Sequence, residues 1–282
     1  MGAARKLGFQ DGYWWSNDGL RLHYRDYPGR SDRPPLLCLP GLTRNARDFE
    51  RLGARLSGEW RVITPELRGR GESAYAIDPL SYVPLTYLQD LARLLTELDL
   101  QRVVVIGTSL GGILAMLMAS TDPARVAGAV LNDAGPDLDP AGLARIRGYV
   151  GKPMSHPTWM HAARAVAEAN RGSYPDYAIA DWLDMAKRLY RLTPGGRIVL
   201  DYDMKIAEPF RMPGSETGPD MWRALGALAG KPVLIVRGEH SDILGASVAE
   251  RMMARLDHAA LATVPRVGHA PTLEEAEAAA AI

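Results

Sequence analysis

The sequence predicts an α/β fold in which a mostly parallel central sheet carries helices on both faces. Short runs rich in Val, Ile and Leu alternate with longer helical stretches, and this alternation is typical of strand–helix–strand units. A serine at position 109 stands between glycines where one such strand meets its helix. Near the start of the chain, Asn17-Asp18-Gly19 separates two further strand-like runs and predicts a tight hairpin turn.

The same patterns place the elements in chain order. After the hairpin formed by "GYWWS" and "LRLHYRDY", the predicted strands are 35–39, 61–64, 102–106, 126–131, 232–237 and 260–264. The predicted helices are 46–56, 87–98, 110–120, 247–256 and 274–282. Because ligands of a parallel sheet gather at the carboxyl ends of its strands, functional side chains are expected at that edge.

One region interrupts the alternation. Residues 137–222 show helical patterning without a convincing strand, and aromatic and methionine residues are concentrated there. We therefore expect residues 1–136 and 223–282 to form a core domain and residues 137–222 to form an inserted helical lid. Because ligand pockets are largely apolar, some large lid side chains are expected to bind substrate. The candidates are Trp159, Trp182, Met185, Phe210 and Met212.

The overall composition argues against several classes of protein. Of the 282 residues, 47% are hydrophobic and 23% are charged, which is typical of soluble globular proteins. Lys+Arg and Asp+Glu both number 33, so no net charge attracts nucleic acid or an anionic membrane. No apolar run approaches the roughly 20 residues that span a bilayer, and no signal peptide is recognisable. We expect a cytoplasmic protein that binds a small molecule, with its oligomeric state left open.

The segment "VVVIGTSLGG" predicts a nucleophilic serine. Gly107-Thr108-Ser109-Leu110-Gly111 matches the pattern G-x-S-x-G, with a strand before it and a helix after it, as the motif requires. A tight strand-to-helix turn crowds the backbone two residues on either side of the serine, so small residues are needed there. The turn also places the hydroxyl at a helix N-terminus, where developing negative charge is stabilised.

A serine nucleophile needs a base, and the base needs an orienting carboxylate. His269, in "RVGHAP" after the last predicted strand, is expected to reach the same sheet edge as Ser109. The chain order Ser, Asp, His then places the acid between these two residues. Asp242, in the loop after the penultimate strand, is the preferred acid. Asp133, at the end of the preceding strand, is the alternative, and Glu239 is a more distant third.

The tetrahedral intermediate of acyl transfer needs two N–H donors, which form an oxyanion hole. The backbone amide of Leu110, the residue after the nucleophile, is expected to supply one of them. The second is expected from the loop "LPGLTRN", where Gly41 allows a close backbone approach and the amide of Leu42 is the candidate.

Together these motifs resemble the α/β-hydrolase superfamily, in its serine-nucleophile, esterase-like branch, over nearly the whole chain. "ELRGRGES" is similar to the D-x-R-G-x-G-x-S loop of that superfamily, with Glu66 in place of the usual Asp. "LPGLTRN" is similar to its H-G oxyanion loop, with Pro40 in place of the customary His. The resemblance implies a sheet of about eight strands and a helical lid. The superfamily spans many reactions, so the resemblance does not identify the substrate.

The leading functional prediction is a carboxylesterase that cleaves small or medium apolar esters, with lactones as further candidates, through an acyl-enzyme on Ser109. This chemistry needs no metal and no cofactor. A carbon–carbon bond hydrolase of meta-cleavage products would use the same three residues and is the alternative. A ligand receptor built on a hydrolase scaffold is a third and weaker alternative.

Overall fold

The computed structural model describes residues 8–212 and 219–282. Within these ranges the strands are β1 (Gln10–Trp15), β2 (Arg21–Tyr27), β3 (Leu36–Leu39), β4 (Val62–Glu66), β5 (Val103–Thr108), β6 (Val126–Asn132), β7 (Ser155–His156), β8 (Tyr190–Leu192), β9 (Ile198–Leu200), β10 (Val233–Gly238) and β11 (Ala259–Val264). The α-helices of the same ranges are α1 (Glu50–Leu56), α2 (Pro84–Glu97), α3 (Leu110–Thr121), α4 (Pro140–Tyr149), α5 (Trp159–Asn170), α6 (Ile179–Leu189), α7 (Met221–Gly226), α8 (Ala246–Arg255) and α9 (Ala276–Ala281). The strands and helices predicted from the sequence are present, with ends shifted by a few residues.

Eight strands form one sheet in the order β1-β2-β4-β3-β5-β6-β10-β11. The hairpin strands β1 and β2 pair antiparallel, as do β2 and β4. All remaining neighbours in this sheet pair parallel. The prediction of a mostly parallel sheet of about eight strands is therefore confirmed.

Alternate residues of the central strands pack on opposite faces of the sheet, because side chains along a strand alternate in direction. In β3, Leu37 and Leu39 belong to an apolar cluster that includes residues of α2, α3 and α7. Leu36 and Cys38 belong to a second cluster, on the other face, that includes residues of α1, α5 and α6. Burial in this second cluster raises the pKa of the Cys38 thiol. Both faces of the sheet are thus covered.

The segment between β6 and β10 contains the helices α4 to α7 and also a small antiparallel sheet in the order β7-β9-β8. The sequence analysis expected no strand in this segment, and this expectation is wrong. The strands have only two or three residues each, so they are too short to show a period-two pattern. The turn "TPGG" between β8 and β9 closes a hairpin.

Hydrogen bonds tie the inserted segment to two loops of the core domain. Asn45, the last residue of the loop "LPGLTRN", donates through Nδ2 to the carbonyl of Arg188 at 3.1 Å. The nearby Arg47 guanidinium is 2.6 Å from the buried Asp201 carboxylate, and the backbone N–H of Gly71 donates to the carbonyl of Asp201. The segment is therefore bonded to the core close to the carboxyl edge of the sheet.

The proposed division into residues 1–136 with 223–282 and residues 137–222 stays a prediction, since residues 1–7 and 213–218 of these stretches lie outside the described residues. Among the residues that the structure describes, no helix combines the length and the apolar character required to traverse a lipid bilayer.

Candidate active site

Ser109 occupies the sharp turn between β5 and α3. Its backbone has φ 53° and ψ −115°, a region that side-chain-bearing residues rarely adopt. The turn is held from two sides, because Ser109 N–H donates to the carbonyl of Asn132 and the Ser109 carbonyl accepts from Gly112 N–H, both at 2.9 Å. The strained turn expected from the sequence is present, and it raises the serine hydroxyl at the carboxyl edge of the sheet.

The two glycines of the motif are required by close backbone approaches. A Cβ atom on Gly107 would lie 2.2 Å from the carbonyl oxygen of Gly111. A Cβ atom on Gly111 would lie 2.0 Å from the carbonyl oxygen of Leu39 in β3. Neither neighbour is a flexible side chain that could move away, so any larger residue would displace the turn that carries Ser109.

Ser109, His269 and Asp133 form a continuous hydrogen-bonded chain. His269 Nε2 is 3.0 Å from Ser109 Oγ, and His269 Nδ1 is 2.7 Å from Asp133 Oδ2. A carboxylate can only accept, so Nδ1 carries a proton and donates it to Asp133; Nε2 of the neutral ring then accepts from the serine hydroxyl. The His269 side chain is 10% exposed and that of Asp133 is 0% exposed. This is the arrangement of a nucleophile, a base and an orienting acid.

Asp242, which the sequence analysis preferred as the acid, does not contact His269. Its carboxylate accepts hydrogen bonds from Arg145 Nε at 2.5 Å and Nη2 at 2.8 Å. The hydrogen bond from Arg145 lowers the pKa of Asp242, although partial burial opposes the shift. The correction follows from strand order: β6 lies beside β5, whereas β10 is one strand further away. The residue that follows β6, Asp133, is therefore next to the serine turn. The third candidate, Glu239, instead accepts a backbone hydrogen bond at 2.7 Å.

The loop after β10 still contributes to the site, because it secures the Asp133 carboxylate. Gly238 N–H donates to Asp133 Oδ1 at 3.1 Å, and Ser241 Oγ donates to Oδ2 at 2.6 Å. Ser241 Oγ in turn accepts two backbone N–H groups of its own loop. A buried carboxylate is strongly unfavourable without such partners. Both oxygens of Asp133 are thus held while one of them orients His269.

The backbone geometry of the predicted oxyanion loop is fixed by two hydrogen bonds. The carbonyl of Gly41 accepts from Arg44 N–H at 3.1 Å, which sets the plane of the peptide that carries Leu42 N–H. The carbonyl of Leu42 accepts from Nε of the fully buried Arg70 at 2.9 Å. A Cβ atom on Gly41 would lie 3.7 Å from Ser109 Cβ, so this loop passes directly beside the nucleophile.

Leu110, the other predicted donor residue, is the first residue of α3 and directly follows Ser109. Amide groups in the first turn of a helix have no acceptor within the helix. Its N–H is therefore available at the start of α3, and the roles of Leu42 and Leu110 as oxyanion donors stay predictions.

Glu66, the first residue of the loop "ELRGRGES", is hydrogen-bonded to the residue that follows the oxyanion loop. The buried carboxylate of Glu66 accepts from Ala46 N–H at 3.1 Å and from Glu72 N–H at 2.6 Å, and it lies 2.9 Å from His23 Nδ1. The other ring nitrogen of His23 lies 2.8 Å from Asp11. Burial lowers the pKa of His23, but the two carboxylates outweigh burial and raise it above its ordinary value. Glu66, the departure from the superfamily pattern, thus has a full set of partners.

Ser109 and His269 open into a cavity of about 440 Å³. Much of its wall comes from apolar and aromatic side chains of the inserted segment, which are Ile146, Tyr149, Met154, Val166, Tyr174, Met185, Leu189, Tyr190, Leu200 and Tyr202. Leu42, Thr43 and Phe49 supply the wall on the core side. The cavity therefore offers a mostly apolar space directly above the nucleophile.

Of the five predicted substrate-binding residues, Met185 lies in the described wall of this cavity. Trp182 and Trp159 instead pack in the apolar cluster of α5 and α6, where the Trp182 ring lies 5.0 Å from that of Tyr177. Phe210 and Met212 are partly exposed and lie outside the wall. The large tryptophan rings fill the interior of the insertion, and composition alone did not distinguish that interior from its cavity-facing surface.

The sequence analysis missed the charged residues of the wall. Arg44 and Arg145 both lie in it. Arg44 lies within the loop "LPGLTRN" itself, which is a signal that could have drawn attention to it. Arg145 lies on an ordinary-looking helix, and no local pattern distinguishes it from a surface arginine.

The chain is similar to known proteins along most of its length. The model of the alpha/beta hydrolase family matches residues 36–282. A 3-hydroxybutyrate-oligomer hydrolase of Cupriavidus necator is 34% identical over 280 residues, which cover 96% of this chain and 94% of the relative. A 2-(acetamidomethylene)succinate hydrolase of Mesorhizobium japonicum is 27% identical over 236 residues, covering 84% and 81%. A crystal structure of an alpha/beta hydrolase of Novosphingobium aromaticivorans superposes with a TM-score of 0.94 at 57% identity, covering 98% of this chain and 96% of the other.

Proposed function

The chain belongs to the alpha/beta hydrolase family and is a hydrolase, and from this premise we propose that it cleaves carboxylic esters with Ser109 as nucleophile. The observation that carries the proposal is the hydrogen-bonded chain from Ser109 Oγ through His269 to the buried Asp133. Asp133 replaces Asp242 as the proposed acid.

In the proposed reaction, Ser109 Oγ attacks the ester carbonyl carbon while His269 Nε2 takes the hydroxyl proton. Asp133 stabilises the resulting imidazolium and keeps Nδ1 protonated. The N–H groups of Leu42 and Leu110 stabilise the negative oxygen of the tetrahedral intermediate. His269 then gives its proton to the departing alcohol oxygen. In the second half, His269 takes a proton from water, the hydroxide attacks the acyl carbon, and Ser109 is regenerated.

The cavity supports substrates of small to medium size. Its volume of about 440 Å³ and its mostly apolar wall suit short acyl and alcohol groups, because burial of apolar surface is the main favourable term in such sites. The C. necator relative is named for oligomers of 3-hydroxybutyrate, a compound class whose units are joined by ester bonds. That likeness supports ester hydrolysis over other reactions of the family.

A substrate panel tests the proposal. Wild type and Ser109→Ala are assayed on p-nitrophenyl esters of increasing acyl length, on lactones, on a linear dimer of 3-hydroxybutyrate and on a meta-cleavage product. We expect turnover of esters by the wild type and its loss in Ser109→Ala. Turnover of the meta-cleavage product without ester turnover would replace the proposal by carbon–carbon bond hydrolysis.

A further inference from the structure

Three arginines belong to the wall of the otherwise mostly apolar cavity that contains Ser109 and His269, and two of them are Arg44 and Arg145. Arg44 pairs with Asp48 through Nε and Nη2, and Arg145 pairs with Asp242 through the same two atoms. In the described part of the chain, Nη1 of each arginine has no hydrogen-bond acceptor. Each guanidinium therefore keeps one donor group for a ligand.

In two of the three ion pairs at the cavity, the arginine belongs to the wall and the carboxylate lies outside it. Arg145 belongs to the wall, whereas its partner Asp242 does not. The same is true of Arg188 and its partner Glu274. Among the described residues, the ionised side chains of the wall are three arginines and one aspartate, namely Arg44, Arg145, Arg188 and Asp48. The carboxylates of Asp242 and Glu274 balance the charge but lie outside the wall, so a ligand in the cavity meets more guanidinium than carboxylate groups, which favours an anionic ligand.

Arg145 lies on the histidine side of the site. Its partner Asp242 directly follows Ser241, whose hydroxyl donates to the same Asp133 oxygen that His269 Nδ1 contacts. Arg44 belongs to the wall of the same cavity, next to Gly41 of the oxyanion loop, since a Cβ atom on Gly41 would lie 3.3 Å from Arg44 Cγ. Because His269 protonates the leaving alcohol, the side of the cavity that contains Arg145 faces the alcohol part of the ester.

From this placement we infer that Arg145, assisted by Arg44, binds a free carboxylate on the alcohol part of the substrate. The preferred substrates are then esters of a hydroxy acid whose own carboxyl group is unesterified. This inference rests on the proposed ester hydrolysis and narrows its substrate class. The remaining Nη1 group of a guanidinium suits such a ligand because it can donate a charge-assisted hydrogen bond to a carboxylate oxygen, and the apolar surroundings strengthen the attraction.

A matched pair of substrates tests the inference. The linear dimer of 3-hydroxybutyrate is compared with the same dimer whose terminal carboxyl group is a primary carboxamide. The ester bond and the shape are the same in both, and only the charge differs. We expect the wild type to prefer the acid by about tenfold or more in kcat/KM, as a charge-assisted hydrogen bond allows. Arg145→Met is expected to lower this acid-to-amide ratio by about 10- to 100-fold.

Two further variants sharpen the test. Asp242→Asn removes the carboxylate that competes for Arg145, so the acid-to-amide ratio is expected to rise several-fold. Arg61→Met is the control, because Arg61 pairs with Asp26 through the same Nε and Nη2 atoms. Arg61 immediately precedes β4, and thus lies at the strand end opposite to the site; its variant is expected to keep the ratio of the wild type. Each acid-to-amide ratio compares two substrates on the same protein sample. A smaller fraction of folded enzyme therefore lowers both kcat/KM values equally and leaves their ratio unchanged.

The carboxamide dimer separates this inference from the proposed function. If the wild type cleaves both dimers equally, or if Arg145→Met keeps the wild-type ratio, the carboxylate site is refuted while ester hydrolysis stands. If the wild type cleaves neither dimer and no p-nitrophenyl ester, the proposed function fails. Carboxylate binding is then decided by calorimetric titration of Ser109→Ala with each dimer. Tighter binding of the acid that Arg145→Met abolishes would support the site, and equal binding would refute it.

Discussion

Replacing Asp133 with Asn is expected to remove nearly all catalysis while the fold is kept. In the structure, Asp133 Oδ2 accepts from both His269 Nδ1 and Ser241 Oγ, and Oδ1 accepts from Gly238 N–H. An Asn amide has only one oxygen, so it cannot accept hydrogen bonds from both His269 Nδ1 and Gly238 N–H as the two carboxylate oxygens do. If its NH₂ group faces His269, Nδ1 must become the acceptor and Nε2 carries the proton. If it faces Gly238, two N–H donors meet.

The first orientation is chemically decisive, because a protonated Nε2 cannot take the proton of Ser109. Loss of the correct histidine tautomer costs about 10⁴ in kcat, or about 5.5 kcal/mol of transition-state stabilisation. The unfavourable contacts at the amide are expected to cost about 1–3 kcal/mol of folding stability. Asp242→Asn is the matched control: Asp242 is 38% exposed and Arg145 is 41% exposed. Such a pair contributes about 0–1 kcal/mol to folding stability. Because the Asp242 carboxylate bonds Arg145 and not His269, kcat should change by less than about fivefold.

The assay is kcat on p-nitrophenyl butyrate for both variants, with thermal unfolding followed by circular dichroism to verify the fold. Asp133→Asn must be far slower than Asp242→Asn. If Asp242→Asn is the more damaging change, or if both retain kcat of the wild type, the assignment of the acid from the hydrogen-bonded chain is refuted.

Three further predictions concern the nucleophile, the cavity wall and the pH dependence of stability. A fluorophosphonate is expected to label Ser109, as mapped by mass spectrometry, and labelling at another residue of active protein would contradict its role as nucleophile. Ser109→Ala should lower kcat by about 10³- to 10⁶-fold. Met185→Ala should shift the preferred p-nitrophenyl ester to a longer acyl chain, because each extra buried methylene adds about 0.8 kcal/mol, or roughly fourfold in kcat/KM. Met160→Ala, at an exposed position, should leave the dependence of kcat/KM on acyl length unchanged. The pKa of His23 is raised above 6.5 because its two carboxylate partners outweigh burial. The contribution of protonated His23 to folding stability is therefore complete below pH 6.5 and is lost as the pH rises through the raised pKa. The difference in melting temperature between wild type and His23→Gln should therefore shrink over that pH range, and a difference that grows with pH would contradict it.

Local sequence patterns predicted the fold and the strained serine turn well, because their causes are local. The alternation of strands and helices follows from side-chain periodicity, and the glycines around Ser109 follow from backbone contacts within a few residues and with one adjacent strand. The position of His269 also followed from its place after the last strand, since every parallel strand of the sheet ends at one edge.

The choice of acid could not be made in this way. Asp133 and Asp242 both follow strands that end at the same edge, and the difference between them lies in which strand is the neighbour of β5. That order is a property of the folded sheet and leaves no local trace in either segment. The same limit applies to the wall of the cavity: Trp182 and Met185 are only three residues apart on α6, yet one packs inside the insertion and the other faces the cavity.

The hydrogen bonds between the inserted segment and the core have a consequence for how substrate enters. Asn45 is the last residue of the oxyanion loop and donates to the carbonyl of Arg188, and the nearby Arg47 donates to the carboxylate of Asp201. A swing of the inserted segment away from the core would break these hydrogen bonds. It would also disturb the loop that is proposed to hold the oxyanion. We therefore expect substrate to enter without such a movement. Activity should then not require a lipid–water interface, and turnover should follow simple saturation with dissolved, monomeric substrate.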